Sequence, residues 1–254
     1  IGGALRRILV DRRVSPTIST MQKEQSLGIA SVKVCVAGAT GETGRRIVRA
    51  LVKAEIPVRA LVRDQRKAQG MLPAQAEIVV GDVLQPSTLT AALVGCDRVI
   101  CATGARPGWD PLEPYRVDYE GTKNLVNAAK AAGIEHFVLI SSLCVSQFFH
   151  PLNLFFLVLF WKKQAEDYLA VSGIPYTIVR PGGLKNEETN AGLVIAPPDT
   201  LFEGSIARSQ VAEVAVAALD VPQARQRILE IVTHADVPSK PVRELLVAAG
   251  SRST

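Results

Sequence analysis

Short apolar runs and helical periodicities alternate along most of this chain. Val32–Ala37 is an apolar run rich in β-branched residues, which predicts a fully buried strand. Ile47, Val48, Leu51 and Val52 then recur at i, i+1, i+4 and i+5, the mark of a helix with one apolar face. Glu55-Ile56-Pro57 breaks that helix, and Val58–Val62 reads as a second strand. The alternation continues with a short helix over Gln65–Leu72, a strand at Ala76–Val80, a helix at Ser87–Leu93 and an apolar strand at Asp97–Ala102. A long helix over Tyr115–Ala132 is stopped by Gly133, and a strand follows at His136–Ile140. Further on lie a helix at Trp161–Val171, a strand at Tyr176–Arg180, a helix at Ser209–Leu219 and a strand at Ile228–Val232. The fold class is α/β, and no internal repeat or low-complexity segment interrupts it.

The first crossover carries the clearest chemistry. Gly38, Gly41 and Gly44 stand in the spacing G-x-x-G-x-x-G, with Thr40, Glu42, Thr43 and Arg45 around them, between the first strand and the first helix. The first glycine permits a turn that a Cβ would forbid, the second leaves room for a pyrophosphate, and the third lets the helix lie close on the strand. The freed N–H groups and the positive end of the helix dipole suit an anion. This is a dinucleotide-binding turn in a βαβ unit. At the end of the second strand, where an NAD site carries an acid for the ribose 2′-OH, the chain has Arg63, with Asp64 one position late. Arg63 and Arg45 suit a 2′-phosphate, so the expected cofactor is NADP(H). Asp82 and Val83, after the third strand, are expected beside the adenine, and Ala102, Thr103 and Gly104 where a cofactor crosses the strand ends.

Composition bounds the rest. The 254 residues are 48% hydrophobic and 21% charged, enough for one large domain with a full core. The net charge of +5 comes with no basic helix interleaved with aromatics, so nucleic acid is not an expected partner. Cys35, Cys96, Cys101 and Cys144 lack C-x-x-C spacing and sit in or beside apolar runs, as reduced buried thiols do; no metal site is expected. No apolar run reaches the length of a transmembrane helix. Residues 1–30 carry Arg6, Arg7, Arg12, Arg13 and Lys23 among serines and threonines. That composition fits a basic N-terminal extension, either a processed targeting remnant or an ordinary flexible arm.

Two longer stretches, VDYEGTKNLVNAAKAAGIEHFVLISS and WKKQAEDYLAVSGIPYTIVRPGGL, resemble the atypical short-chain dehydrogenase/reductase superfamily. The similarity is to its single-domain NAD(P)-binding branch with plastid and cyanobacterial members, which includes the dehydrogenase-like component of the chloroplast inner-envelope translocon. It covers about residues 32–235. The resemblance implies a Rossmann-type doubly wound parallel sheet of about seven strands, in a single domain over 31–254 with a small substrate-side cap around 183–208. It implies Asn124 in a structural role, Ser141 and Ser142 beside the nicotinamide, Lys162 as the active-site lysine, and Arg180, Pro181 and Gly182 in the loop crossing the nicotinamide end. Ser142 and Lys162 are the candidate catalytic residues. It also implies a chloroplast setting, stromal or membrane-associated, with a cytoplasmic one as the alternative.

One departure bears on the chemistry. Standard enzymes of the family place a tyrosine four residues before the lysine, and here that position is Val158. The usual proton donor to a carbonyl is missing. A second unusual feature is FFHPLNLFFLVLFW, residues 148–161, with six of the chain's aromatic residues. It suits a buried helix used as a homodimer face, a peripheral membrane contact or docking face on a membrane-protein partner, or the wall of a pocket for an apolar substrate. The expected function is an NADP-binding oxidoreductase acting on a small apolar substrate such as a quinone, isoprenoid or pigment precursor. The alternative is a non-catalytic NADP-binding scaffold or assembly subunit docked on a plastid membrane protein complex.

Overall fold

The computed structural model describes residues 32–105 and 108–251; the basic arm expected over 1–30 lies outside them. The first unit is β1 (Val34–Ala37), α1 (Glu42–Lys53) and β2 (Val58–Val62). Next come α2 (Gln65–Gln69), β3 (Glu77–Val80), α3 (Pro86–Leu93) and β4 (Arg98–Cys101). A π-helix (Tyr115–Gly121) runs into α4 (Thr122–Ala131), followed by β5 (His136–Ile140). Then follow α5 (Val158–Ala170), β6 (Tyr176–Pro181), β7 (Gly183–Lys185), β8 (Gly192–Ala196) and β9 (Ser205–Ala207). The chain closes with α6 (Arg208–Ala218), β10 (Arg227–His234) and α7 (Val242–Ser251).

Strands β3, β2, β1, β4, β5, β6 and β10 lie side by side in that order, all parallel. This is the doubly wound Rossmann sheet, with its order reversing between β1 and β4. The whole sheet has ten strands rather than about seven. The difference comes from the 183–208 stretch, which contributes β7, β8 and β9. β8 pairs antiparallel with β10, setting Val194 opposite Val232, and so covers backbone groups that β10 would otherwise leave at an edge.

Side chains alternate across the sheet, as the pleat demands. Val34, Val36, Ile100 and Val138 face α1 and α6, where Ile47, Leu51, Val211 and Val214 meet them. Cys35, Ala37, Phe137 and Leu139 face α3, α4 and α5, where Leu93, Leu125 and Leu169 pack. Both faces are covered, which explains why the strands read as unbroken apolar runs.

Two segments differ from the sequence expectation. The helix over Tyr115–Ala132 opens as a seven-residue π-helix, and Asp118 on it is only 3% exposed. The 148–161 stretch is not one buried helix. A 3₁₀ turn covers Pro151–Leu154, Phe156 and Leu157 both have positive φ, and α5 starts only at Val158. Asn153 sets that late start: its Oδ1 accepts from the N–H groups of Leu159 and Phe160 (2.9 and 3.1 Å), while its Nδ2 donates to Phe148 O (2.8 Å). Phe149 (96%), Leu154 (84%) and Phe155 (67%) are left exposed. Among the described residues no helix is long and apolar enough to cross a membrane.

His136 is fully buried in β5, with Nε2 3.0 Å from Thr177 Oγ1, whose own hydrogen goes to Ala224 O. Burial, with Arg225 and Arg98 nearby, pushes its pKa down to about 4. The unfolded chain therefore binds one more proton than the folded one between about pH 4 and 6.5, and stability falls as pH drops through that window, by at most about 3 kcal/mol. Urea unfolding at a series of pH values should show this slope in the wild type and a shallower one, by about one proton, in His136→Gln.

Candidate cofactor-binding and active site

β1 ends at Ala37 and the chain turns at Gly38, with φ +76°. A Cβ on Gly38 would stand 2.5 Å from Ala102 O, and one on Gly44 would stand 2.1 Å from Gly38 O. Neither position tolerates a side chain. Gly41 N–H donates to Gly38 O (2.9 Å) and closes the turn. Gly41 also caps α1 without a side-chain hydrogen bond, leaving the first-turn N–H groups to an anion. This cradle, floored by backbone and closed to any Cβ, fits a dinucleotide pyrophosphate.

One half of the cleft runs over Gly38, Thr40 and Gly41 toward the ends of β2 and β3. It is lined there by Arg63, Asp82 and Val83, with Ala102, Thr103 and Gly104 on the β4 side. Arg63 is solvent-exposed at the end of β2. Asp64 beside it is engaged, its Oδ1 accepting from Lys67 N (3.1 Å) as the cap of α2. The acid is thus withdrawn from the ribose position and the arginine is not. Arg45, the other expected phosphate ligand, is differently placed: its Nη2 pairs with Glu42 Oε2 (2.6 Å), and it does not line this half. Arg46 and then Arg45 hold the Glu42 carboxyl below the usual carboxylate range. Asp82 Oδ1 accepts from Leu84 N (2.9 Å), and Asn124 Nδ2 donates to Val83 O (3.0 Å), tying α4 to this turn.

The other half of the cleft, about 510 Å³, continues over Glu42 and Thr43 to Ser141, Ser142, Lys162, Pro181 and Gly182, with Leu184 and Arg208 beyond them. Lys162 Nζ donates to Asp118 Oδ1 (2.7 Å), and Ala105 N donates to Asp118 Oδ2 (3.3 Å). Asp118 is absent from the sequence-derived set of site residues. Its one signal is an acid in register with Leu125 and Ala129 on the core face of the predicted helix, at i, i+7 and i+11. Arg208 is the other unforeseen residue; its Nη1 donates to Asn186 Oδ1 (3.0 Å) and Leu184 O (3.3 Å).

Arg180, expected at the nicotinamide end, is turned into the protein instead. Its side chain is 1% exposed and lines neither half of the cleft. Nη2 pairs with Glu166 Oε2 (2.7 Å), and Nη1 with Asp199 Oδ1 (2.9 Å) and Glu230 Oε1 (3.3 Å). A strand residue alternates sides of the sheet, so Pro181 can border the cleft while Arg180 does not.

Val158, one turn before Lys162, packs instead against the buried cluster of Leu143, Cys144, Val145, Leu159 and Val232. No tyrosine lines either half of the cleft. Tyr115 donates to Glu120 and Tyr168 to Asn127, while Tyr119 packs on Trp161 and Tyr176 opens β6. The four cysteines are free and buried, and among the described residues no group of His, Cys, Asp and Glu is placed to hold a metal ion.

The sequence profile of a family described as NAD(P)H-binding matches residues 38–222. This chain belongs to that family. It is 44% identical over 245 residues to an uncharacterised chloroplastic protein of Arabidopsis thaliana, covering 91% of this chain and 88% of that one. It is 38% identical over 247 residues to the chloroplastic protein TIC 62 of Pisum sativum, covering 86% of this chain but 46% of that longer protein. A sanguinarine reductase of Eschscholzia californica is 33% identical over 240 residues, covering 78% of this chain and 88% of the reductase. Among solved structures, a putative NAD-dependent epimerase/dehydratase from Bacillus halodurans superposes with a TM-score of 0.77 at 25% identity, over 85% of this chain and 99% of that one. A Citrobacter triphenylmethane reductase complexed with NADP(H) shares the fold, with a TM-score of 0.58 at 23% identity over 77% of this chain and 68% of that one. The resemblance to atypical short-chain dehydrogenases, the expectation of a nicotinamide dinucleotide and the plastid expectation agree with these relatives.

Gly44→Ala should abolish dinucleotide binding, since its methyl group would meet the Gly38 carbonyl. Arg63→Ala should weaken NADPH binding by roughly 1.5–3 kcal/mol, the range for hydrogen bonds to charged groups, and leave NADH binding unchanged. Calorimetric titration of both cofactors into each variant reads both outcomes.

Proposed function

We propose that this protein is a plastid NADPH-dependent oxidoreductase that reduces an apolar, conjugated acceptor such as a quinone, isoprenoid or pigment precursor. The observation that carries this reading is Lys162, held at the nicotinamide half of a glycine-floored cleft that no tyrosine lines. The cofactor supplies a hydride when bound. The first turn of α1 and the glycine cradle bind its pyrophosphate, and Arg63 takes the 2′-phosphate. Thr103, Gly104, Pro181 and Gly182 bound the nicotinamide half on either side. Lys162 stands beside that ring with its ammonium charge offset by Asp118. Ile140 and Leu184 add apolar surface there for the acceptor. Stopped-flow oxidation of NADPH against a panel of quinones, flavins and carbonyl compounds tests the reading. Rapid turnover with at least one conjugated acceptor, slower with Lys162→Met, is expected. Absence of turnover with every acceptor, in a protein that binds NADPH, overturns it.

A second reading, a non-catalytic NADP-binding scaffold docked at a plastid membrane complex, is favoured by the exposed segment 148–157. Phe148, Phe149, Leu152, Leu154 and Phe155 all stand in solvent there, and no acidic residue occurs between Leu143 and Trp161. An aromatic side chain buries on the order of 150–250 Å² when covered. Replacing Phe149, Leu154 and Phe155 with Ser should release the protein from the membrane fraction of plastids without loss of NADPH binding. Unchanged membrane association of that folded variant counts against docking through this segment.

A further inference from the structure

Behind the nicotinamide half of the cleft lies a small cavity of about 10 Å³ with a mixed lining: Thr103, Asp118, Thr122, Ser141 and Lys162 on its polar side, and Leu139, Ile140 and Ala165 on its apolar side. That is the space of about one water molecule. Ser141, which is 7% exposed and lines this cavity, has a buried Oγ without a hydrogen-bond partner. Buried hydroxyls are otherwise paired with protein or ordered water. Thr103 is engaged with Cys101 Sγ at 3.2 Å, and Asp118 with Lys162 and Ala105 N. Thr103, Ser141 and Lys162, with Ile140, line both this cavity and the open cleft, so three polar side chains stand in the wall between the two spaces.

We propose that Lys162, Asp118 and Ser141, with one water in this cavity, form the proton-delivery unit that stands where the family's tyrosine is missing. The proposal rests on the oxidoreductase reading above. When a carbonyl acceptor is reduced, its carbon gains a C–H bond from the hydride as NADPH is oxidised to NADP⁺. The carbonyl oxygen gains an O–H bond from the Lys162 ammonium, whose N–H bond breaks. The neutral amine then recovers a proton from solvent through the water between Ser141 Oγ and Asp118. Lys162 is the donor; Asp118, itself buried, is a positioning residue, holding the partly exposed Nζ at 2.7 Å and balancing its charge. The π-helix is what carries Asp118 to that point, in keeping with the frequent placement of π turns at functional sites.

The test compares two acceptors in single turnovers at saturating NADPH. Phenanthrenequinone takes up a hydride and a proton, whereas a cationic triarylmethane dye takes up a hydride alone. Asp118→Asn and Lys162→Met should slow quinone reduction by about a hundredfold, within the range for general acid catalysis, and abolish its solvent deuterium isotope effect. With the dye the losses should be far smaller, because hydride uptake alone calls on no proton donor. Ser141→Ala, which removes only an unpartnered oxygen, should slow the quinone alone and by less; it carries the comparison if Asp118→Asn does not fold. A high-resolution crystal structure of the cofactor-free protein should show a water bonded to Ser141 Oγ. Equal losses with both acceptors would make the pair merely structural and overturn the relay while leaving the oxidoreductase in place. So would a dry cavity together with an unaffected Ser141→Ala, or a wild type that reduces the dye and not the quinone. A wild type that reduces neither acceptor overturns the function and the relay together.

Discussion

The close approach of backbone to backbone beneath α1 is the constraint on which the rest of the structure depends. Gly38 lies against the carbonyl of Ala102, and Gly44 against the carbonyl of Gly38, at distances that leave no space for a Cβ. That contact seats α1 on β1 and keeps its uncapped amino end at the reversal point of strand order, between β1 and β4. Much of the cleft's lining is then brought in by the ends of parallel strands: Arg63 by β2, Asp82 by the turn after β3, Thr103 by β4, Ser141 by β5 and Gly182 by β6, while α5 supplies Lys162.

A second, electrostatic constraint governs the far side of the site. Arg180 ties β6 to Glu166 of α5 and Glu230 of β10, and Glu230 in turn accepts from the backbone N–H groups of Asp199, Thr200 and Leu201 (2.8–3.0 Å). Despite burial, these carboxylates keep the Arg180 guanidinium strongly protonated. Buried ion pairs contribute little net stability, because desolvation offsets attraction, but removing one partner leaves a buried charge uncompensated at a cost of about 3–5 kcal/mol. The geometry is therefore strictly held, and it is the geometry of α5. Glu166 lies one turn beyond Lys162, so the clamp that fixes the one also sets the pitch and rotation of the other.

Without a hydroxyl at Val158, the lysine is left with a carboxylate as its partner rather than a phenol. The apolar segment just before α5 is a separate matter. Its exposed phenylalanines do not line the cleft, and their display depends on Asn153 capping α5 across the turn. The site and the apolar surface are thus adjacent in sequence and independent in construction.

The alternation of apolar runs and amphipathic helices determined the fold class, and the glycine spacing determined the dinucleotide turn, because both are local consequences of pleat, helical pitch and the absence of a Cβ. Arg63 was legible for the same reason: the end of a strand is a fixed place in a βαβ unit. What the sequence left undecided depended on partners distant along the chain. Arg180 carries the same motif whether it faces cofactor or core; only three acidic residues converging from 14, 19 and 50 positions away turn it inward. Asp118 and Lys162 are 44 residues apart and meet only because a π turn and α5 pack together. The strands of the 183–208 stretch depend on distant partners: β8 and β9 pair with β10, and β7 pairs with β9. Segment 148–157 reads by composition as a buried helix, a membrane or partner contact or a pocket wall, and the turn at Pro151 and Asn153, which leaves phenylalanines in solvent, is a decision that only tertiary structure makes.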